Sequence, residues 1–348
     1  MKKIVTIISF IGVLFLSFLM YTLHSLKVFP EQSNSEVECH SVAILTPVTH
    51  PSLQQIQRGF LDTLESDGSK RYVFDVYNAN GNKRLMHAQV EEIIQKKYDL
   101  IFSMCAQASQ MAKEITTKKQ QSIPIVFAAV SDPVSINLID SLDCSKNHVV
   151  GAVEVTDYAT QLAVLRTLIP NLKKVLLVYD PTQGIGLEKD KKKIAELFSL
   201  QNIELMSAEV YGASEVYAKV GSLCQGADAI LILKDNTVVS AIDSLVKFCN
   251  QRKIPLMATD LDSVAKGAAC AFGVCEYDYG VVGAQLAHKI LEDGCSPSDL
   301  CSYPVDSFKI CVNLQAMRQQ GVNSQRIDNV RDMNIEVIRC KESNKVLS

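Results

Sequence analysis

The chain repeats itself at domain-sized spacing. Ile123-Pro-Ile-Val-Phe-Ala-Ala-Val-Ser-Asp132 and Ile254-Pro-Leu-Met-Ala-Thr-Asp-Leu-Asp262 start 131 residues apart. Each is a short apolar run entered through Ile-Pro and ending on an acidic residue. Val42-Ala-Ile-Leu-Thr-Pro47 is echoed by Val175-Leu-Leu-Val-Tyr-Asp-Pro181 at an offset of 133. A strand-then-polar-loop unit built twice at this spacing predicts two similar α/β lobes. Ligands of open α/β sheets sit beyond the carboxyl ends of the strands, so both sets of loops should border one cleft.

The pattern between the repeats supports this. Apolar runs at 42–46, 72–77, 99–104 and 123–130 read as buried parallel strands. Helical periodicity covers Leu53–Leu64, Leu85–Gln95 and Ser109–Lys118. A second set has strands at 174–179, 203–210, 228–233 and 254–259, with helices near 187–200, 214–224 and 237–250. Alternating βαβ units predict doubly wound parallel sheets with right-handed crossovers. The later segments, a strand at 269–276, a helix at 279–292 and a strand at 305–312, break the tandem order. They suggest three crossings between lobes, near 149–155, 269–276 and 304–312, and hence a three-segment hinge. Lobe 1 is expected at 41–150 with about 277–303, and lobe 2 at 151–276 with about 304–340.

The 348 residues are 47% hydrophobic and 21% charged, enough for two cores. A net charge of −3, with no basic run interleaved with aromatics, argues against nucleic acid as a partner. The Lys189–Lys193 segment reads as a solvated helix face. Lys2 and Lys3 precede Ile4–Leu26, which holds no formally charged residue and is long enough to span a bilayer. Residues 1–26 are expected to be a signal peptide or an uncleaved signal anchor, with 27–40 as a tether and the rest exported. The Glu36-Val-Glu38 stretch before Cys39 does not fit a lipobox. Eleven cysteines leave at least one unpaired in a monomer, and the turn-like segment between Cys295 and Cys301 would allow a local bridge. Neither cysteine nor histidine spacing suggests zinc, and no cofactor is expected.

Ile123 to Pro133, Lys234-Asp-Asn-Thr-Val-Val-Ser-Ala241 and Ala258-Thr-Asp-Leu-Asp-Ser-Val264 resemble signature segments of ABC-transporter substrate-binding proteins. The subfamily is the one called tryptophan/tyrosine transport-associated. The likeness runs from about residue 40 to 320 and includes Gln54–Phe60 and Tyr279–Ala287. It implies the type I periplasmic-binding fold, capture of a small solute with aromatic amino acids as the best-known ligands, and delivery to a membrane permease with its ATPase subunit. Two presumed ligand loops depart from the family pattern: Asp180-Pro-Thr-Gln-Gly-Ile-Gly-Leu187 and Ser103-Met-Cys-Ala-Gln107.

An amino-acid zwitterion makes two opposite demands on the cleft. Its carboxylate favours helix starts and hydroxyl donors, which points to Thr46, Thr49, Ser103, Ser109, Asn236 and Thr237, and Gln107 and Ser131 are further candidate ligand contacts. Its ammonium needs a carboxylate, from Asp132 in the first lobe and Asp235, Asp260 or Asp262 in the second. Asp132 and Asp260 are the preferred pair because they correspond in the repeat. Capping roles compete for Thr237 and for each acid. Phe127, Tyr179, Phe272 and Tyr277 are candidate apolar walls, against core packing for each. One buried ring is worth about 4–6 kcal/mol, short of the roughly 8 kcal/mol of micromolar binding. Polar contacts from both lobes must supply the rest.

Catalysis finds no support, since there is no complete dinucleotide fingerprint, serine elbow or P-loop, and no histidine is placed to activate Cys105. The leading expectation is a transporter-linked solute receptor. A membrane-anchored sensor using the same clamshell, and a redox-active thiol protein, are the competing readings.

Overall fold

The computed structural model describes residues 39–66, 71–143, 146–183, 185–331, 333 and 335–340. The hydrophobic helix expected at 4–26 and nearly all of the tether lie outside them. Among the described residues no helix is long and apolar enough to cross a membrane.

The chain runs through β1 (His40–Thr46), α1 (Pro51–Leu64), β2 (Tyr72–Asn78), α2 (Lys83–Lys96), β3 (Leu100–Met104), α3 (Cys105–Lys118), β4 (Ile125–Val130) and β5 (Val149–Glu154). It continues through α4 (Tyr158–Leu168), β6 (Lys174–Tyr179), α5 (Ile185–Leu200), β7 (Glu204–Glu209), α6 (Val216–Leu223) and β8 (Ala229–Ile232). There follow α7 (Asn236–Ser240), α8 (Ile242–Arg252), β9 (Leu256–Ala258), α9 (Asp262–Ala265) and β10 (Cys270–Val274). The last elements are α10 (Glu276–Leu291), β11 (Tyr303–Val305), β12 (Phe308–Val312), α11 (Leu314–Gln319), α12 (Ile327–Arg331) and β13 (Glu336–Arg339).

Two sheets result. The first has strand order β11-β5-β4-β3-β1-β2 and is parallel throughout. The second has order β13-β12-β10-β9-β8-β6-β7, with one antiparallel pair, β10 against β12. Each sheet is covered by apolar clusters on both faces, which explains the unbroken apolar runs: every residue of β3, β8 and β10 is buried. These are the two doubly wound lobes expected from the repeat.

Within the described residues the chain changes sheet three times. After Glu154 it leaves the first sheet, and α4 packs into a core of the second through Leu162, Leu165 and Leu168. After Val274 it returns, since α10 packs with the first sheet. The third change splits the single strand expected at 305–312. Tyr303–Val305 pairs with β5, whereas Phe308–Val312 pairs with β10, so Asp306 and Ser307 are the connector. Periodicity alone cannot see such a change of partner, because both halves are apolar and extended.

Other differences are local. Helix α3 begins at Cys105 rather than Ser109, because the chain turns from β3 directly into the helix through a left-handed Cys105 (φ 65°). The helix expected at 237–250 is two helices, α7 and α8, meeting at Ala241. Helix α4, capped by Asp157, is additional to the helices expected from periodicity. The Cys295 thiol is free, so the local bridge to Cys301 is not formed.

One helix contact positions the hinge. Helices α1 and α10 cross backbone to backbone: a methyl on Gly280 would lie 2.0 Å from the Ile56 carbonyl oxygen, and one on Gly59 would lie 2.1 Å from that of Tyr277. The glycines thus bring the first turn of α10 against lobe 1. That turn carries Glu276 and Tyr279.

Candidate functional site

Three charged side chains meet where the crossings lie. Glu154 ends β5, Glu276 opens α10, and Lys234 stands just past the carboxyl end of β8. The Lys234 ammonium is 2.8 Å from Glu154 Oε1 and 2.8 Å from Glu276 Oε1. The side chains of Lys234, Glu154 and Glu276 are 29%, 20% and 11% exposed, so the cluster is recessed but still touches solvent. It joins the second lobe to two of the three crossing segments.

The electrostatics follow from this crowding. Burial opposes the charge on Lys234, but Glu154 and Glu276 outweigh it and hold the ammonium well above its ordinary pKa. Burial pushes the Glu276 carboxyl up, Lys234 pulls it down, and Glu154 pushes it up again, leaving it above the usual range. The Cys105 thiol, at the start of α3, is pushed up to about 12 by burial and by Glu154 and Glu276. A thiol so shifted stays protonated at neutral pH and is a poor nucleophile.

Tyr279 completes the group. Lys234 lies over its ring, 5.4 Å from the centroid. The side chain is fully buried, and its hydroxyl finds no hydrogen-bond partner among the described residues. Burial raises its pKa, and the charges of Lys234, Glu154 and Glu276 all bear on it.

Backbone strain marks the same rim. Cys105 (φ 65°) and Ala129 (φ 56°) are left-handed without being glycine, at the ends of adjacent strands β3 and β4. At Ala129 the β4–β5 register slips by one residue. Such strain concentrates at functional sites.

The residues singled out from sequence divide into several groups. Asp235 caps α7, accepting from the Val238 N–H at 3.1 Å and from the Asp180 N–H at 2.5 Å. Thr237 donates its hydroxyl to Asp180 Oδ2 at 2.7 Å. These three form a knot within lobe 2, while Asn236 is exposed. Asp260 accepts from the Ser263 N–H and hydroxyl, both at 2.8 Å, and so caps the next turn. Asp132 accepts from the Ser135 N–H at 3.1 Å and pairs with Lys189 across the lobes at 3.1 Å, half exposed on both sides. The preferred pair Asp132 and Asp260 is therefore engaged separately.

The hydroxyls behave likewise. Thr46 donates to the Val48 carbonyl and Thr49 accepts from the Asn78 amide. Ser103 donates to Ser109, both fully buried. Gln107 and Ser131 are exposed. Of the aromatic candidates, Tyr179 is fully buried, its hydroxyl 2.7 Å from Glu188 and 3.0 Å from Glu209. Phe272 stacks on Phe308 with centroids 5.1 Å apart, and Phe127 is core. The Tyr277 hydroxyl donates to Asp62.

Glu154, Lys234, Glu276 and Tyr279 are not among the candidate site residues that the sequence supplies. A positional signal existed for the three charges. Each is the first charged residue at or just past the carboxyl end of an apolar strand: Val149-Val-Gly-Ala-Val-Glu154, Ile230-Leu-Ile-Leu-Lys234 and Ala271-Phe-Gly-Val-Cys-Glu276.

Known proteins bear on this geometry. The chain is 27% identical over 294 residues, 84% of either chain, to a tyrosine-binding protein of Clostridioides difficile. Its fold superposes with a TM-score of 0.72 on a ligand-free, open substrate binding protein with adhesive properties from Clostridium difficile. That match is 25% identical and covers 87% of this chain and 100% of the other. A conserved domain protein from Vibrio cholerae gives the same TM-score at 26% identity, covering 83% of this chain and 97% of that one. The architecture is that of type I periplasmic binding proteins. The sequence profile of the ABC transporter substrate binding proteins matches residues 41–336, and the chain belongs to that family, whose members bind solutes rather than transform them.

Proposed function

We propose that this chain is the solute receptor of an ABC importer, capturing an amino acid, aromatic ones favoured, between its lobes by domain closure. The observation that carries the reading is the charged group Glu154–Lys234–Glu276, set where two lobes and two crossing segments meet. A solute that engages it touches both lobes, which is what couples binding to closure. The aromatic preference draws on the family resemblance and on the tyrosine-binding relative. The permease and ATPase subunit that would receive the solute are partners implied by the family. Residues 4–26 would serve either as a cleaved export signal or as an anchor holding the receptor at the outer face of the cytoplasmic membrane. We place the lobe boundaries at the three changes of sheet, after Glu154, between Val274 and Glu276, and between Val305 and Phe308, a few residues from the divisions expected at 150 and 303.

A thermal-shift screen tests the reading. The full-length chain, stripped of solute by unfolding and refolding, is heated with amino acids, nucleosides and sugars in turn. Ligand at 100 times Kd stabilises the native state by about 2.7 kcal/mol. A shift with L-tyrosine, L-phenylalanine or L-tryptophan is expected. A shift confined to sugars or nucleosides would overturn the amino-acid assignment, and no shift at all would overturn the receptor.

A further inference from the structure

The hinge cluster has unused capacity of a particular kind. Lys234 engages Oε1 of Glu154 and Oε1 of Glu276, and no donor among the described residues engages the second oxygen of either carboxylate. Beside them the Tyr279 hydroxyl is buried without a partner. A buried hydroxyl without a hydrogen bond is costly, and a ligand group that bonded to it would relieve that cost. The two carboxylates flank one ammonium that balances only half of their charge, and that ammonium lies over the Tyr279 ring, 5.4 Å from its centroid. Glu154 Oε2, Glu276 Oε2 and Tyr279 Oη are three acceptor oxygens in this neighbourhood. A primary ammonium offers three N–H donors in return.

We propose that these three oxygens hold the α-ammonium of the solute, and that the remaining N–H of Lys234 takes its carboxylate. The start of α3 adds backbone donors at the same carboxyl edge of the first sheet, where β3 ends at Met104 and β5 at Glu154, and the first turn of that helix has no side-chain cap. The arrangement alternates acid, ammonium and acid, and a zwitterion laid against it extends the alternation. The ligand class is therefore a solute with a free primary α-ammonium. A simple carboxylic acid meets a cluster whose formal charge is already negative, and it is rejected. This assignment moves the ammonium contact from Asp132 and Asp260 to Glu154 and Glu276, and it rests on reading the chain as a solute receptor.

The test uses the stripped full-length chain and calorimetric titration. L-Tyrosine, L-phenylalanine and L-tryptophan are compared with their deaminated acids and decarboxylated amines, for tyrosine 3-(4-hydroxyphenyl)propionate and tyramine. Loss of the ammonium should weaken binding by about 100-fold or more, the order expected when a buried charge loses its partner. Tyr279→Phe should weaken amino-acid binding about 10-fold while the ligand-free melting temperature holds or rises, since the hydroxyl it removes has no partner in the protein. Glu154→Gln and Glu276→Gln should each weaken it by about 10-fold or more. If wild type binds an amino acid yet binds the deaminated acid equally well, the ammonium pocket is wrong and the receptor stands. The same holds if Tyr279→Phe keeps full affinity, and this variant decides the matter should the Gln variants fail to fold. If wild type binds none of the three amino acids, the pocket falls together with the amino-acid reading.

Discussion

Lys234, carried by the second lobe, holds Glu276, the first residue of the helix that leads the chain back into the first lobe, at 2.8 Å. The contact spans the boundary between two otherwise separate sheets. Breaking it should register both in stability and in how the lobes respond to solute.

Lys234→Met is the sharpest probe of stability. It leaves two recessed carboxylates facing each other with no cation. Loss of one partner of a buried pair costs about 3–5 kcal/mol, and residual solvent contact here places the loss nearer about 2–3 kcal/mol. The pH dependence has a definite sign. Burial already raises Glu276, and removing Lys234 removes the charge that lowers it. An acid whose folded pKa lies above its unfolded value contributes its full stability below the unfolded pKa and loses it as pH rises through the folded one. The gap in melting temperature between wild type and Lys234→Met should therefore widen from pH 4 to pH 8. A constant gap would show that the carboxylates are not coupled to Lys234.

Gly280→Ala tests how α10 is positioned. With the new methyl 2.0 Å from a backbone oxygen, the helices must separate, and a loss of about 2 kcal/mol or more is expected. Gly186→Ala, with nothing within 4 Å, is the control and should be neutral or gain up to about 1 kcal/mol from helix propensity. Chemical denaturation reads both, and equal behaviour would contradict the close crossing.

Asp132 and Asp235 should differ in what they affect. The Asp132–Lys189 pair is about half exposed on both sides, and such pairs are worth about 0–1 kcal/mol. Asp132→Ala is expected to change solute affinity by less than about 5-fold. Asp235→Ala removes the cap of α7 and the acceptor of the buried Asp180 N–H, at about 2–4 kcal/mol of stability. Paired melting and titration curves separate the two effects. A 10-fold or greater loss of affinity at Asp132 would restore it as a ligand contact.

Cys105 should be inert. With its thiol pushed up to about 12, alkylation by iodoacetamide at pH 7.5 should lag far behind that of a free thiol. Peptide mapping measures the rate at this one position. Rapid labelling would revive the redox reading of the cysteines.

The lobes were legible because a strand buried on both faces leaves an unbroken apolar run, and a doubled set of such runs can be counted. Val42–Leu45 and Val175–Tyr179 are examples, fully buried in the two sheets. The third crossing was only half legible, since Val305 and Phe308 differ in sheet and not in character. The site was less legible still. Acids at strand ends act as caps as readily as ligand contacts, and Asp235 and Asp260 are caps here. Glu154, Lys234 and Glu276 come from distant segments, and only the folded crossings bring them together. Tyr279 sits inside a helical pattern that reads as core. Its unpartnered hydroxyl is a property of three dimensions alone.

The central claim is that a zwitterionic solute joins the lobes at the hinge cluster. Calorimetric titration of the stripped full-length chain with L-tyrosine, in wild type and Glu276→Gln side by side, tests it most directly. The account predicts saturable one-to-one binding to wild type and about 10-fold or more weaker binding to the variant. Equal affinity in the two proteins would contradict it.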